Sequence, residues 1–341
     1  MAINVARPYP IIIVTGANSG VGFAVCQRLI EQLASPIPPD SLLKPSDEKS
    51  DLSCPLAPTQ KLSLILACRN KGRAEKAQKL LWDALDKRIR WLKSRAGYNG
   101  HAEAFRKNLT IDFIQLDLAS MDSVFSFTEE VESRYPYVSH IVMNAGFLPI
   151  IGLDYIYAIK EIFLDPARAV TQPRFMIQAE GLESPDGLGM VFQSNVLGHF
   201  SLFRELEGLL HKNPSGDSRV QWLSSLDCNA GDYDPADIQI RRGTYPYEAS
   251  KFQEDLIVTA LAHQAAANPP KEGEAHIQHS LSTPGICHTA NTGPVLNFIL
   301  ELAKQASFYL ARLFGSQNHP IDSYKGAVAV VYAILAPLAI L

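Results

Sequence analysis

The stretch "IIIVTGANSGVG", Ile11 to Gly22, constrains the fold more than any other part of the chain. Ile11–Thr15 is a short apolar run, the pattern of a strand buried on both faces. It is too short for the core of a signal peptide. It leads straight into glycines at 16, 20 and 22. Glycine takes backbone angles closed to other residues and lets a ligand approach the main chain. Residues 21–33 then read as a helix. Strand, glycine turn and helix together suit a dinucleotide, whose pyrophosphate would sit on the free N–H groups of the helix start. Gly16, Asn18, Ser19, Gly20, Val21 and Gly22 are the candidate cofactor contacts of this turn. The spacing is T-G-x-x-x-G-x-G, so an ordinary glycine-rich strand–helix turn remains the alternative.

The rest of the chain repeats the alternation. Residues 62–67, 109–116, 138–143, 219–223 and 276–281 read as strands. Residues 73–92 form an amphipathic helix with Ala74, Ala77, Leu81, Ala84 and Leu85 on one face. Strands alternating with helices predict an α/β protein, a doubly wound parallel sheet of Rossmann type covered on both faces. At 341 residues and 47% hydrophobic, one large domain is expected. Residues 34–60 are rich in Pro, Ser, Asp and Lys and read as a surface insertion or a disordered loop. A net charge of −4 offers no electrostatic footprint for nucleic acid. Five scattered cysteines, with no Cys/His cluster, suggest no metal and a reducing compartment.

Two further stretches carry chemistry. The second strand ends "ACRNKGR", with Arg69 where a dinucleotide fold meets the adenosine ribose. An acid there would bind the 2′-hydroxyl of NAD; an arginine suits the 2′-phosphate of NADP. The stretch "TYPYEASKF" holds Tyr245, Tyr247 and Lys251. Helical geometry stacks positions four apart, so Tyr247 and Lys251 share a face and Tyr245 does not. A nearby ammonium favours the ionised phenol and makes Tyr247 usable as an acid or base. The apolar set Ala249, Phe252, Leu256, Ile257, Ala260 and Leu261 recurs at helical spacing, and Pro246 suits a first turn.

"TGANSGVG", "NAG" at 144–146, "SS" at 224–225, Y-E-A-S-K at 247–251 and "PGICHT" at 284–289 together resemble the short-chain dehydrogenase/reductase family. The resemblance spans roughly residues 9–290 and implies a Rossmann-type sheet of about seven strands. It implies Tyr247 as proton donor, Lys251 lowering its pKa and holding the nicotinamide ribose, and Ser225 polarising the carbonyl. It implies Asn195 holding a water that links Lys251 to solvent, Asp117 contacting the adenine and Asn144 lining the cofactor floor. Cys287 and Thr289 would lie at the cofactor, Thr289 on the carboxamide. Ser225 stands twenty-two residues before Tyr247, a longer gap than the family usually has, so residues 232–246 must loop out and Ser224 stays open as an alternative.

The long segment 147–190 resembles, more narrowly, the fungal 3-keto-steroid reductases of the sterol C-4 demethylation pathway. That implies NADPH-dependent reduction of a zymosterone-like 3-keto sterol to the 3β-alcohol in ergosterol-type synthesis, beside other enzymes of that pathway. It places the protein at the cytosolic face of the endoplasmic reticulum or on lipid droplets. Residues 1–290 would then form the NADP-binding domain, with insertions at 34–60 and 147–190. Residues 291–341 would form an apolar helical part, serving as substrate lid or membrane-facing surface. Within it, 295–315 carry a wide apolar face and 326–341 no charge, compatible with core packing or peripheral membrane contact. Two other readings stay open: a reductase of another hydrophobic ketone or aldehyde, and an idle dinucleotide-binding scaffold.

Overall fold

The computed structural model describes residues 8–41, 54–59, 61–287 and 298–337. Strand β1 (Ile11–Thr15) is buried along its length and feeds two cores. Ile12 and Val14 point into one, Ile11 and Ile13 into the other, as a two-residue period requires. Helix α1 (Gly20–Leu33) packs Val25, Leu29 and Leu33 on the first core. Strand β2 (Leu62–Cys68) repeats the division, and α2 (Lys71–Lys93) adds Ala74, Ala77, Leu81 and Leu85 to the same side as α1. Helix α3 (His101–Asn108) leads into β3 (Leu109–Gln115). Helix α4 (Met121–Arg134) covers the second core and returns to β4 (His140–Met143).

The long insertion then folds as its own small unit. Strands β5 (Ile150–Leu153) and β6 (Met176–Gln178) pair antiparallel around α5 (Tyr155–Leu164) and α6 (Pro166–Thr171). The chain re-enters the main body through α7 (Met190–Phe192), a π-turn at Gln193–Leu197 and α8 (Gly198–His211). Strand β7 (Asp217–Leu223), the long α9 (Pro246–Ala267) and β8 (His276–Ser282) complete the second half. Helices α10 (Phe298–Leu313), α11 (Ser323–Gly326) and α12 (Val328–Leu335) follow.

The main sheet is wholly parallel, in the order β3-β2-β1-β4-β7-β8. The strand order reverses between β1 and β4, where open α/β sheets bind their ligands. Six strands stand in it among the described residues, where about seven were expected. Beyond β8, among the described residues, the chain makes only an isolated bridge, Cys287 with Ile321.

Three expectations change in detail. First, α9 buries only part of its apolar stripe: Ala249 and Leu261 are buried and Leu256 and Ala260 exposed, while Glu248, Ser250, Lys251, Gln253 and Glu254 are also buried. The inward face of this helix is built for polar contacts. Second, the described ends of the 34–60 insertion are packed. Asp40 pairs with Arg28 of α1, and Ser41 and Cys54 are buried. Third, the uncharged stretch after 326 supplies core where it is described. Val330, Val331, Ile334 and Leu335 of α12 join the α1 side. Buried Arg219 of β7 donates to Ala333 O at 2.8 Å and Ile334 O at 3.0 Å, capping the carbonyl end of α12.

Candidate active site

The glycine turn is made by sterics. Gly16 sits at φ +66° and Gly20 at +55°, angles that disfavour a side chain. A Cβ on Gly22 would come within 2.6 Å of Gly16 O and closer still to Asn144 Nδ2. Asn144 belongs to this floor: its Nδ2 donates to Thr15 O at 2.8 Å, and its N–H to Thr15 Oγ1 at 2.9 Å. The ends of β1 and β4 are thereby tied together. Ser19 caps α1 with its backbone extended and its side chain making no cap bond. The first-turn N–H groups of Gly20, Val21 and Gly22 thus remain as anion donors, with no acid in that turn to oppose a phosphate. Asn18 is half-buried beside them.

Arg69 directly follows β2 with its side chain 76% exposed, and its Nη1 lies 4.0 Å from Asp117 Oδ2. The two expected adenosine-side residues therefore share one edge. Lys71 and Arg73 start α2 beside Arg69, where Asn70 caps the helix by accepting from Arg73 N at 2.9 Å.

Tyr247 and Lys251 lie on α9 one turn apart, and Ser225 lies just beyond the end of β7. Ser225 Oγ donates to Asp227 Oδ2 at 3.4 Å, and the serine favours the ionised form of the nearby Tyr247. Burial raises the Tyr247 pKa, with Lys251 pulling the other way and Ser225 helping it. The phenol therefore stays protonated at neutral pH, with burial outweighing the lysine. Ser225 Oγ also accepts from Asp227 N at 3.1 Å, and burial lifts the Asp227 carboxyl to about 6. Ser224 is buried, and its N–H donates to Ser282 O at 3.0 Å. Tyr245 is elsewhere: its hydroxyl donates to Arg174 O at 3.0 Å, and the Arg174 guanidinium stacks 4.2 Å from its ring centre.

The wide gap between Ser225 and Tyr247 is absorbed by a loop folded against residues 183–189. Arg241 pairs with Glu183 at 2.6 Å, and Arg174 with Asp232 at 2.8 Å. A side chain at Gly189 would overlap the Gln239 carbonyl, so the loop seats only against glycine there.

Asn195 lies in the π-turn, fully buried. Its Oδ1 accepts from Phe147 N at 2.7 Å, and its Nδ2 donates to Ser250 Oγ at 2.9 Å. Its Nδ2 donates also to Phe147 O at 3.1 Å, so both amide donors have protein partners while Oδ1 keeps one lone pair. Cys287 is half-buried and its thiol is pushed by burial up to about 11, which keeps it protonated. Thr289 lies outside the described residues.

No family model matches the chain. The 3-keto-steroid reductase of Schizosaccharomyces pombe is 30% identical over 330 residues, covering 96% of this chain and 82% of that one. This chain belongs to the 3-keto-steroid reductase family. The 3-keto-steroid reductase of Eremothecium gossypii is 36% identical over 234 residues, 68% of this chain and 64% of the other. Among solved structures, L-sorbose reductase from Gluconobacter frateurii aligns with a TM-score of 0.56 at 13% identity, over 96% of this chain and 90% of its own. That likeness speaks for the fold.

In this member of the 3-keto-steroid reductase family, several residues at the site escaped sequence reasoning. Gln178 of β6 clamps the start of α9: its Oε1 accepts from Tyr247 N at 3.1 Å and its Nε2 donates to Glu248 at 2.7 Å. Nothing in its local sequence marks it, because the insertion's fold brings it there. Glu254 bonds Lys251, and its spacing of three on the same helix was a readable signal.

Proposed function

We propose that the protein reduces the 3-keto group of a sterol to the 3β-alcohol with NADPH. The observation that carries this reading is the meeting of Ser225, Tyr247 and Lys251 at the carboxyl end of β7, in a sheet whose first strand ends in a glycine turn with no room for a side chain. Membership in the 3-keto-steroid reductase family supplies the substrate class.

The roles follow from the residues. Gly16, Asn18, Ser19, Gly20, Val21, Gly22 and Asn144 would hold the dinucleotide's phosphates and floor, Asp117 its adenine, and Cys287 and Thr289 its nicotinamide end. When bound, the reduced nicotinamide supplies a hydride to the carbonyl carbon. Ser225 donates a hydrogen bond to the carbonyl oxygen and draws charge toward it. Tyr247 delivers its proton to that oxygen as negative charge develops there. Lys251 stabilises the phenolate left behind. Asn195 shapes the π-turn beside Lys251, on the route by which a proton would be restored.

NADPH is favoured over NADH because Arg69, Lys71 and Arg73 surround the ribose end of β2 and no acid stands on that strand end. Arg69→Ala should weaken NADPH binding about tenfold, the scale of one charge-assisted hydrogen bond, and leave NADH binding nearly unchanged. Titration of cofactor fluorescence checks this. Equal parental affinity for both cofactors would refute the preference.

The same reading puts the protein on the cytosolic face of the endoplasmic reticulum or on lipid droplets, beside other sterol C-4 demethylation enzymes. Among the described residues, no helix is long and apolar enough to cross a membrane. Surface contact is supported instead by exposed apolar side chains: Ile156 at 84% and Phe163 at 82% on α5, and Phe314 at 85% after α10. Parent protein should sediment with phosphatidylcholine vesicles, and the double variant Phe163→Asp/Phe314→Asp should stay in the supernatant. Equal partition of the two would remove these residues from any membrane contact.

A further inference from the structure

Lys251 is held by a partner that the reaction as described does not call for. Its Nζ donates to Leu223 O at 2.7 Å and to Glu254 Oε2 at 2.7 Å. Glu254 stands three residues on along α9, so helix geometry alone brings the two together. Both side chains are buried, 5% exposed for Lys251 and 1% for Glu254. The other carboxylate oxygen of Glu254, Oε1, is buried with no hydrogen-bond partner. Burying a carboxylate this way is costly: burial outweighs the pull of the Lys251 ammonium and lifts the Glu254 carboxyl to about 7, so it stands opposite Lys251 as an anion in the alkaline range. An ammonium has three donors, and two of them are taken by these bonds. The pair therefore fixes where the third can point.

We propose that Glu254 is a positioning residue for Lys251. It anchors the ammonium between the end of β7 and α9 and keeps it ionised in a dry site. The lysine then acts on Tyr247 as one half of an ion pair. This inference rests on the reading of Tyr247 as the proton donor.

The surroundings leave this task to Glu254. Asp255, the next residue on α9, takes the Cys228 thiol at 3.2 Å. The Asp227 carboxylate accepts from Ser225 Oγ at 3.4 Å, and His199 of α8 is driven down to about 3 by burial and by Lys251, which leaves it neutral. Burial by itself would lower the Lys251 pKa; Glu254 and Tyr247 more than offset it, and the net direction is upward. Removing the Glu254 charge lets Lys251 lose its proton at lower pH. It also removes an anion that opposes ionisation of Tyr247. Both effects move the first proton loss of the Tyr247–Lys251 pair to lower pH.

The test uses the full chain as parent, Glu254→Gln, Glu254→Asp and Tyr247→Phe. In Glu254→Gln the alkaline limb of kcat/KM for a detergent-solubilised 3-keto sterol should move toward acid by about one pH unit or more. In the cofactor-free protein this variant should melt below the parent at neutral pH. The deficit should close as pH rises from about 7 toward 10, because a lysine of lowered pKa sheds its proton in that window while the unfolded chain still carries it. A lost packing contact would leave the same deficit at every pH. Glu254→Asp keeps the charge on a shorter arm, so the limb should stay and kcat should fall about tenfold. An unmoved limb in Glu254→Gln, or a melting deficit independent of pH, overturns the proposal. Should Glu254→Gln give no folded protein, Glu254→Asp decides, and parental kcat there overturns it. Tyr247→Phe separates the two ways of failing. If it retains turnover, the proton-donor reading is at fault; if it is inactive while the Glu254 variants behave as the parent, only this inference fails.

Discussion

Tyr247→Phe is expected to retain about 1% of parental turnover or less, while Tyr245→Phe keeps most of it. The substitution deletes one oxygen and leaves the ring. That oxygen is the group that burial keeps protonated at neutral pH and whose ionised form Lys251 and Ser225 favour. Reduction of a ketone needs the acid form, and among the described residues Tyr247 is the phenol paired with Lys251 on α9. The interaction with the substrate oxygen strengthens as charge develops, so the loss should fall on kcat with little change in KM. Tyr245 loses only its bond to Arg174 O, and its stacked ring stays. A steady-state assay of both variants, with matched circular dichroism spectra, checks the expectation. Reversed behaviour would move the proton donor two residues toward the N-terminus and unmake the site.

The chemistry of this chain was legible where it depends on local sequence. A run such as Ile11–Thr15 has few ways to be buried, and the glycines after it leave few conformations for the turn. The Tyr247–Lys251 pairing follows from helix geometry, since four residues bring two side chains to one face. Arg69 could be placed because a strand end is a fixed point in a parallel sheet. What sequence could not show was contact between segments far apart in the chain. Gln178 reaches α9 only because β6 pairs with β5 and carries it across. The choice between Ser224 and Ser225 stays open in the sequence because both lie past the end of β7, where no strand period places their side chains. The apolar stripe of α9 marked the helix but not all that it buries. Periodicity reports which face is apolar, but this helix turns inward the face that carries the site. The stretch after 326 shows the limit of composition. An uncharged segment suits a membrane and a core equally, and Arg219, buried under the end of α12, shows that this one closes the core.

The second large effect concerns what the site accepts. A sterol 3-ketone is flat, rigid and apolar, with a single carbonyl at one end. Its slot should be apolar along its length and polar only at the base, where Ser225 and Tyr247 stand. Such a slot gains its binding energy from buried ring carbons. A small water-soluble ketone offers the same carbonyl and almost none of that surface. Binding energy from remote parts of the substrate is what aligns the carbonyl with Tyr247, so the small ketone should lose kcat as well as KM.

The measurement that tests the account most directly is the oxidation of NADPH by the purified full chain, followed by absorbance. A detergent-dispersed 3-keto sterol is compared with small water-soluble ketones under the same conditions. The account predicts steady turnover on the sterol, with kcat/KM at least about a hundredfold above that for any small ketone, and a 3β-hydroxysterol as product. Ready reduction of the small ketones with no turnover of the 3-keto sterol would contradict it.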